Sequence, residues 1–130
     1  MVMRFVGMEL FKIAMNVASD ENENWFEDDT GRWTAQELWK AAEGLPAKSM
    51  QINQIDDPKK VFIEMINGCD GGEGIKYEIN RVLNVDTTYP IILNPDGVIV
   101  DGYHRLVKAY LDGDTTIKAI RLPKMPESKM

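Results

Sequence analysis

One cysteine, Cys69, and one histidine, His104, are all that 130 residues contain of those two types. A lone cysteine excludes a disulfide framework and points to a reducing, cytoplasmic setting. With so few soft ligands an ordinary zinc site is excluded as well, so a metal would be Mg²⁺ on carboxylates and substrate phosphates. Long apolar runs are missing too. Glu9 and Lys12 interrupt the apolar N-terminus, and nothing approaches the ~20 apolar residues of a membrane span. Nor is there a surplus of positive charge: the net charge is −6 and the pI is near 4.8, which argues against a broad nucleic-acid face. The imbalance lies in the first half, where residues 1–56 hold 5 Lys/Arg against 10 Asp/Glu; residues 101–130 hold 6 against 4.

What is present is an ordinary globular composition, 44% hydrophobic and 28% charged, in a chain of single-domain length. Tyr89 to Leu122 carries the clearest pattern. The apolar runs Pro90–Leu93 and Val98–Val100 flank Asn94-Pro95-Asp96-Gly97, a hairpin turn in which Pro presets φ and Gly97 supplies φ > 0. Tyr103, Leu106, Val107, Tyr110 and Leu111 then follow the spacing of one buried helix stripe, with Gly113 as its stop and Thr116–Leu122 as a last strand. His104 and Arg105 bring positive charge to a helix start, where the macrodipole is already positive. Two readings stay open. Either an anion sits there, bound by backbone N–H groups and the guanidinium, or Arg105 faces solvent and His104 is a satisfied flank residue.

Upstream, Met1–Ala18 is expected to be an amphipathic helix. The acidic run Asp20–Asp29 reads as a solvated loop anchored by Trp25 and Phe26; its D-x-N-x-N start lacks the sixth-position glycine of a calcium loop. Thr34 and Glu37 form a capping box that opens a helix through Ala42. Ser49–Ile55 alternates like a half-buried strand, and Pro58 begins a helix with Val61, Phe62, Met65 and Ile66 inward. Cys69–Gly74 reads as a flexible glycine-rich connector, without the Lys-Ser/Thr of a P-loop. A further helix over Ile75–Val85 would put Ile75, Ile79, Val82 and Leu83 on one face and Lys76, Glu78 and Arg81 on the others, with Arg81 a phosphate contact only if its end faces the motif. The tail 123–130 is expected to be loose.

Asp101-Gly102-Tyr103-His104-Arg105, after a Pro-Ile-Ile strand and an Asn-Pro-Asp-Gly turn, resembles the D-G-x-H-R motif of the ParB/sulfiredoxin-like superfamily, over roughly residues 50–122. The resemblance implies an α+β fold, a small mixed sheet flanked by helices over residues 47–122; the residues before it are expected to add a helical N-terminal segment, 1–46, packed on that domain. It implies nucleotide-phosphate contacts at Gly102, the Tyr103 backbone N–H, His104 and Arg105, with catalytic roles for Asp101, His104 and Arg105. Asp101 would cap the helix or help hold Mg²⁺, accompanying ATP or CTP. Tyr103 stands where sulfiredoxins place their cysteine, so sulfinic-acid repair is not expected. The closest pattern is that of small nucleotide-binding members, including free-serine kinases, and of phage- or plasmid-borne ParB-like proteins.

These features lead to an expectation of NTP hydrolysis or phosphoryl transfer, with Asp101 or Asp96 as the candidate metal holder, Asp96 being more simply a turn residue, and Glu64, Asp70 or Glu73 as candidate bases. The alternatives are a nuclease acting on DNA, disfavoured by the negative charge, and a non-catalytic module that engages a protein partner through its acidic N-terminal region.

Overall fold

The computed structural model describes residues 25–128, so the helix expected over Met1–Ala18 lies outside the described residues. Strands β1 (Trp25–Asp28) and β2 (Gly31–Thr34) form an antiparallel hairpin. The acidic loop of the sequence reading is therefore partly strand. Asp28 closes the turn, its Oδ1 accepting from the Thr30 N–H (2.8 Å), the Thr30 hydroxyl (2.7 Å) and the Gly31 N–H (3.2 Å). The aromatics make the strands worthwhile: Trp33 is buried and stacks on Phe26 at 6.1 Å, while the Arg32 guanidinium lies 4.0 Å from the Trp25 ring centre. Helix α1 (Ala35–Ala42) starts at the capping box, with Thr34 Oγ1 accepting from Glu37 N–H (3.1 Å) and Glu37 Oε1 from Thr34 N–H (2.9 Å). It buries Leu38 and Trp39.

Strand β3 (Lys48–Gln51) leads through a 3₁₀ turn, Ile52–Gln54, to α2 (Pro58–Asn67) and α3 (Gly71–Asn84). Then come β4 (Ile91–Leu93), β5 (Ile99–Asp101), α4 (Tyr103–Leu111) and β6 (Thr116–Arg121). The sheet order is β3-β6-β4-β5; β4 and β6 are parallel and the other pairs antiparallel. The fold is mixed α+β with two small sheets. Alternation along the strands divides the core between two faces. Ile92, Val100 and Ile120 pack with Trp33, Leu38 and Trp39. Ile91, Leu93, Ile99, Ile117 and Ala119 pack with Leu106, Val107 and Val82 under the α2–α4 layer. Residues 25–46 thus form one layer of the same core. Among the described residues no helix is long and apolar enough to cross a membrane.

Several expectations need correction. The strand expected over Ser49–Ile55 stops at Gln51, because Ile52 turns inward and its N–H donates to Thr115 O at 2.9 Å. Cys69–Gly74 is not a connector, since α3 begins at Gly71. Glycine costs ~1 kcal/mol in a helix, but α3 packs on α2 and α4, and Glu73 in its first turn suits the macrodipole. Of the stripe expected on α3 only Val82 is buried, with Ile79 and Leu83 exposed. On α4 the inward face runs through Arg105, Leu106, Val107 and Ala109, leaving Tyr110 and Leu111 exposed. The tail is also held: Trp33 Nε1 donates to Pro126 O (2.7 Å), Arg32 N–H to Ser128 Oγ (3.0 Å), and Met125 packs on the core. A buried indole N–H needs an acceptor, and the tail supplies it.

Candidate functional site

The turn Asn94–Gly97 sets β5 in place. Asn94 is buried, and its Oδ1 accepts from the Asp96 (2.9 Å) and Val98 (3.0 Å) N–H groups. Asp96 is a turn residue here. Strand β5 ends at Asp101 and the chain swings into α4 through Gly102, at φ 113°. Glycine is required twice over at this point: an added Cβ would lie 2.6 Å from Ile91 Cγ2, and the φ is one that L side chains rarely adopt. The first helical bond of α4 runs from Leu106 N–H to Gly102 O (3.0 Å). The N–H groups of Tyr103, His104 and Arg105 precede it, with no capping side chain and no acid in the first turn.

Arg105 is not on a solvated face. It is 7% exposed, and Nη2 donates to Asp101 Oδ2 at 2.7 Å. The same oxygen accepts from Trp39 Nε1 at 2.9 Å, and the guanidinium carbon sits 5.4 Å from the Trp39 ring centre. Burial of the charge is tolerated because it is paired, hydrogen-bonded and stacked. One donor, Arg105 Nε, is buried without a partner. Asp101 therefore does not cap the helix, since Gly102 occupies that position and the carboxylate is spent on Arg105 and Trp39. Among the described residues no three His, Cys, Asp or Glu side chains are grouped to hold a metal.

His104 is bound from across the layer by α3, its Nε2 lying 2.6 Å from Glu78 Oε1, with both side chains 22% exposed. Burial holds the imidazole below its usual value of 6.5, aided by Arg81 and Arg105 and opposed by the Glu78 hydrogen bond and charge. With the Glu78 carboxylate accepting, a neutral ring would carry its proton on Nε2 and leave Nδ1 as an acceptor. His104 and Tyr103 form one wall of a cleft of about 630 Å³ between α2, α3 and the start of α4. Its charged lining is Asp56, Glu64, Asp70 and Glu78, and neither Lys nor Arg lines it. The negative potential shows in its neighbours. Burial raises the Tyr103 phenol, with Asp56 and Glu64 adding to the effect. Desolvation and Glu78 push the Cys69 thiol up, and Cys69 Sγ donates to Met65 O at 3.3 Å.

Of the candidates read from sequence, the structure brings Gly102, Tyr103, His104 and Arg105 together, with Asp101 behind them. Glu64 and Asp70 reach the cleft wall; Glu73 and Asp96 do not line it. Arg81 lies outside the lining, with its guanidinium 5.7 Å from the Tyr77 ring centre. Glu78 and Trp39 escaped sequence reasoning, because their partners lie 26 and 62 residues away and no local pattern links them. Comparison of the chain with protein-family models, with curated proteins and with solved structures finds no match.

Proposed function

We propose that the domain is a nucleotide-binding member of the ParB/sulfiredoxin-like type, taking the phosphates of ATP or CTP on the first turn of α4 and hydrolysing or transferring the terminal phosphoryl group. The observation that carries this reading is the uncapped N-terminus at Gly102, flanked by a buried guanidinium that keeps Nε without a partner. Three N–H groups converge there with the positive end of the helix dipole, the arrangement that suits a phosphate. Gly102, left-handed and pressed against Ile91, sets the turn that presents these N–H groups, as the motif resemblance implies. Arg105 shares its charge with Asp101, so the backbone would make the principal contacts and Arg105 would add one donor. Any Mg²⁺ would be held by the nucleotide's phosphates. The four carboxylates of the neighbouring cleft weigh against a DNA backbone as the substrate.

The test is a titration of ¹⁵N-labelled protein with ATP, CTP and inorganic phosphate. The amides of Tyr103, His104 and Arg105 should shift most, and saturation at 100 times Kd should stabilise the fold by ~2.7 kcal/mol. Arg105→Lys, which keeps the charge but not the fork, should weaken binding. Unmoved amides with all three ligands would refute the reading.

A further inference from the structure

We infer that His104 and Glu78 form an acid–base pair, in which His104 Nδ1 takes the proton of a hydroxyl-bearing acceptor in the cleft and Glu78 is the residue that positions the imidazole. The inference rests on the proposed nucleotide site and adds to it the acceptor's chemistry and the base. Its basis is geometric. The ring is held at Nε2 by a carboxylate 2.6 Å away on a different helix, which is the base-plus-orienter arrangement of an activated nucleophile. His104 lines the cleft, and its Nδ1 is hydrogen-bonded to no described residue. His104 also belongs to the first turn of α4, the turn proposed above to receive the phosphates.

The step balances without a further reactant beyond the nucleoside triphosphate and the hydroxyl compound. The hydroxyl proton passes to Nδ1 as the oxygen bonds to the terminal phosphorus. The bond from that phosphorus to its bridging oxygen breaks, and the nucleoside diphosphate leaves with the electron pair. The imidazolium so formed is balanced by the Glu78 carboxylate and later releases its proton to solvent. The charges bearing on His104 are Glu78 and Arg81 from α3 and Arg105 from its own helix. Asp56, Glu64 and Asp70 line the rest of the cleft and make it hostile to an anionic acceptor. The acceptor is therefore water or a neutral or cationic alcohol.

His104 is the single histidine of the chain, so its titration is read directly by NMR on the whole protein without ligand. The expected result is a neutral Nε2–H tautomer with a pKa below the ordinary histidine value, falling further in Glu78→Gln, where the charge is lost and the acceptor kept. An Nδ1–H tautomer, or a pKa unmoved by that substitution, would overturn the pair. With ATP or CTP, His104→Gln should lower turnover by about 10²–10⁴-fold. Glu78→Gln should move the acid limb of the pH profile to lower pH, an effect that loss of structure alone would not produce, and Glu78→Asp should restore it in part. Nucleoside diphosphate formed together with free phosphate and without added alcohol identifies water as the acceptor; nucleoside diphosphate that forms only with added glycerol or ethanolamine, with the phosphate recovered as the alcohol's monoester, identifies an alcohol. Failure of both nucleotides to bind removes the phosphate reading, whereas binding with turnover unchanged in His104→Gln removes the base assignment alone.

Discussion

Truncating Asp101 to alanine would strip the buried Arg105 of the one carboxylate within ion-pair distance of it among the described residues. The guanidinium is 7% exposed, Nε has no partner already, and the 2.7 Å bond from Nη2 is the one that neutralises it. An uncompensated buried charge costs about 3–5 kcal/mol, a large share of the 5–15 kcal/mol by which a domain is stable. Arg105→Met alone should cost less, because Asp101 is the more exposed partner and keeps the Trp39 N–H at 2.9 Å. With Asp101→Ala and Arg105→Met together, no charge is left unpaired and the Met stem still covers the Trp39 ring. The double variant should be more stable than Asp101→Ala, with a coupling of about 0.5–3 kcal/mol. Urea unfolding followed by Trp fluorescence and by circular dichroism measures each corner of the cycle. Additive losses would refute the reading that Arg105 is committed to Asp101, and would return its whole charge to an incoming anion.

Two further outcomes follow from the site's geometry. Gly97→Ala and Gly102→Ala both force an alanine into positive φ, at 86° and 113°, but only at Gly102 does the new Cβ meet a buried side chain, Ile91. Gly97→Ala should cost about 1 kcal/mol and Gly102→Ala about 1–3 kcal/mol more; equal melting temperatures would show that Ile91 yields freely. His104 has a folded pKa below its ordinary value of 6.5, so the unfolded chain binds the proton first as pH falls. The stability it contributes is full above about pH 6.5 and is lost toward the folded pKa. Unfolding free energy should decline below about pH 6.5 in the wild type and decline less in His104→Gln. Asp28 and Asp86 lie below the usual 3.8, Asp28 chiefly through its Thr30 hydrogen bonds and Asp86 because burial, which raises it, is outweighed by the Thr88 hydrogen bonds together with nearby positive charge that includes Arg105. They therefore titrate outside this window.

The local chemistry of the chain was legible wherever a few neighbouring residues settle the conformation. Thr34 and Glu37 make their capping box from side chains three apart. Asn94-Pro95-Asp96-Gly97 turns because Asn94 bonds its own neighbours and Gly97 accepts φ 86°. Asp101-Gly102-Tyr103 passes from strand to helix at the predicted residue, since only glycine fits between Ile91 and the new helix. What the tertiary structure alone decided are contacts between residues far apart in the chain. Arg105 turns inward because Trp39, 66 positions earlier by number, and Asp101 offer it a ring and a carboxylate. His104 meets Glu78 because α3 starts at Gly71 and packs on α4, against the preference of three glycines. The tail is fixed because the Trp33 indole, buried by the hairpin, takes Pro126 as its acceptor across 93 residues. Spacing and propensity report only on neighbours along the chain. The charge on α4 thus marked a candidate site in the sequence, while packing determined which of its groups are held by partners and which line the cleft.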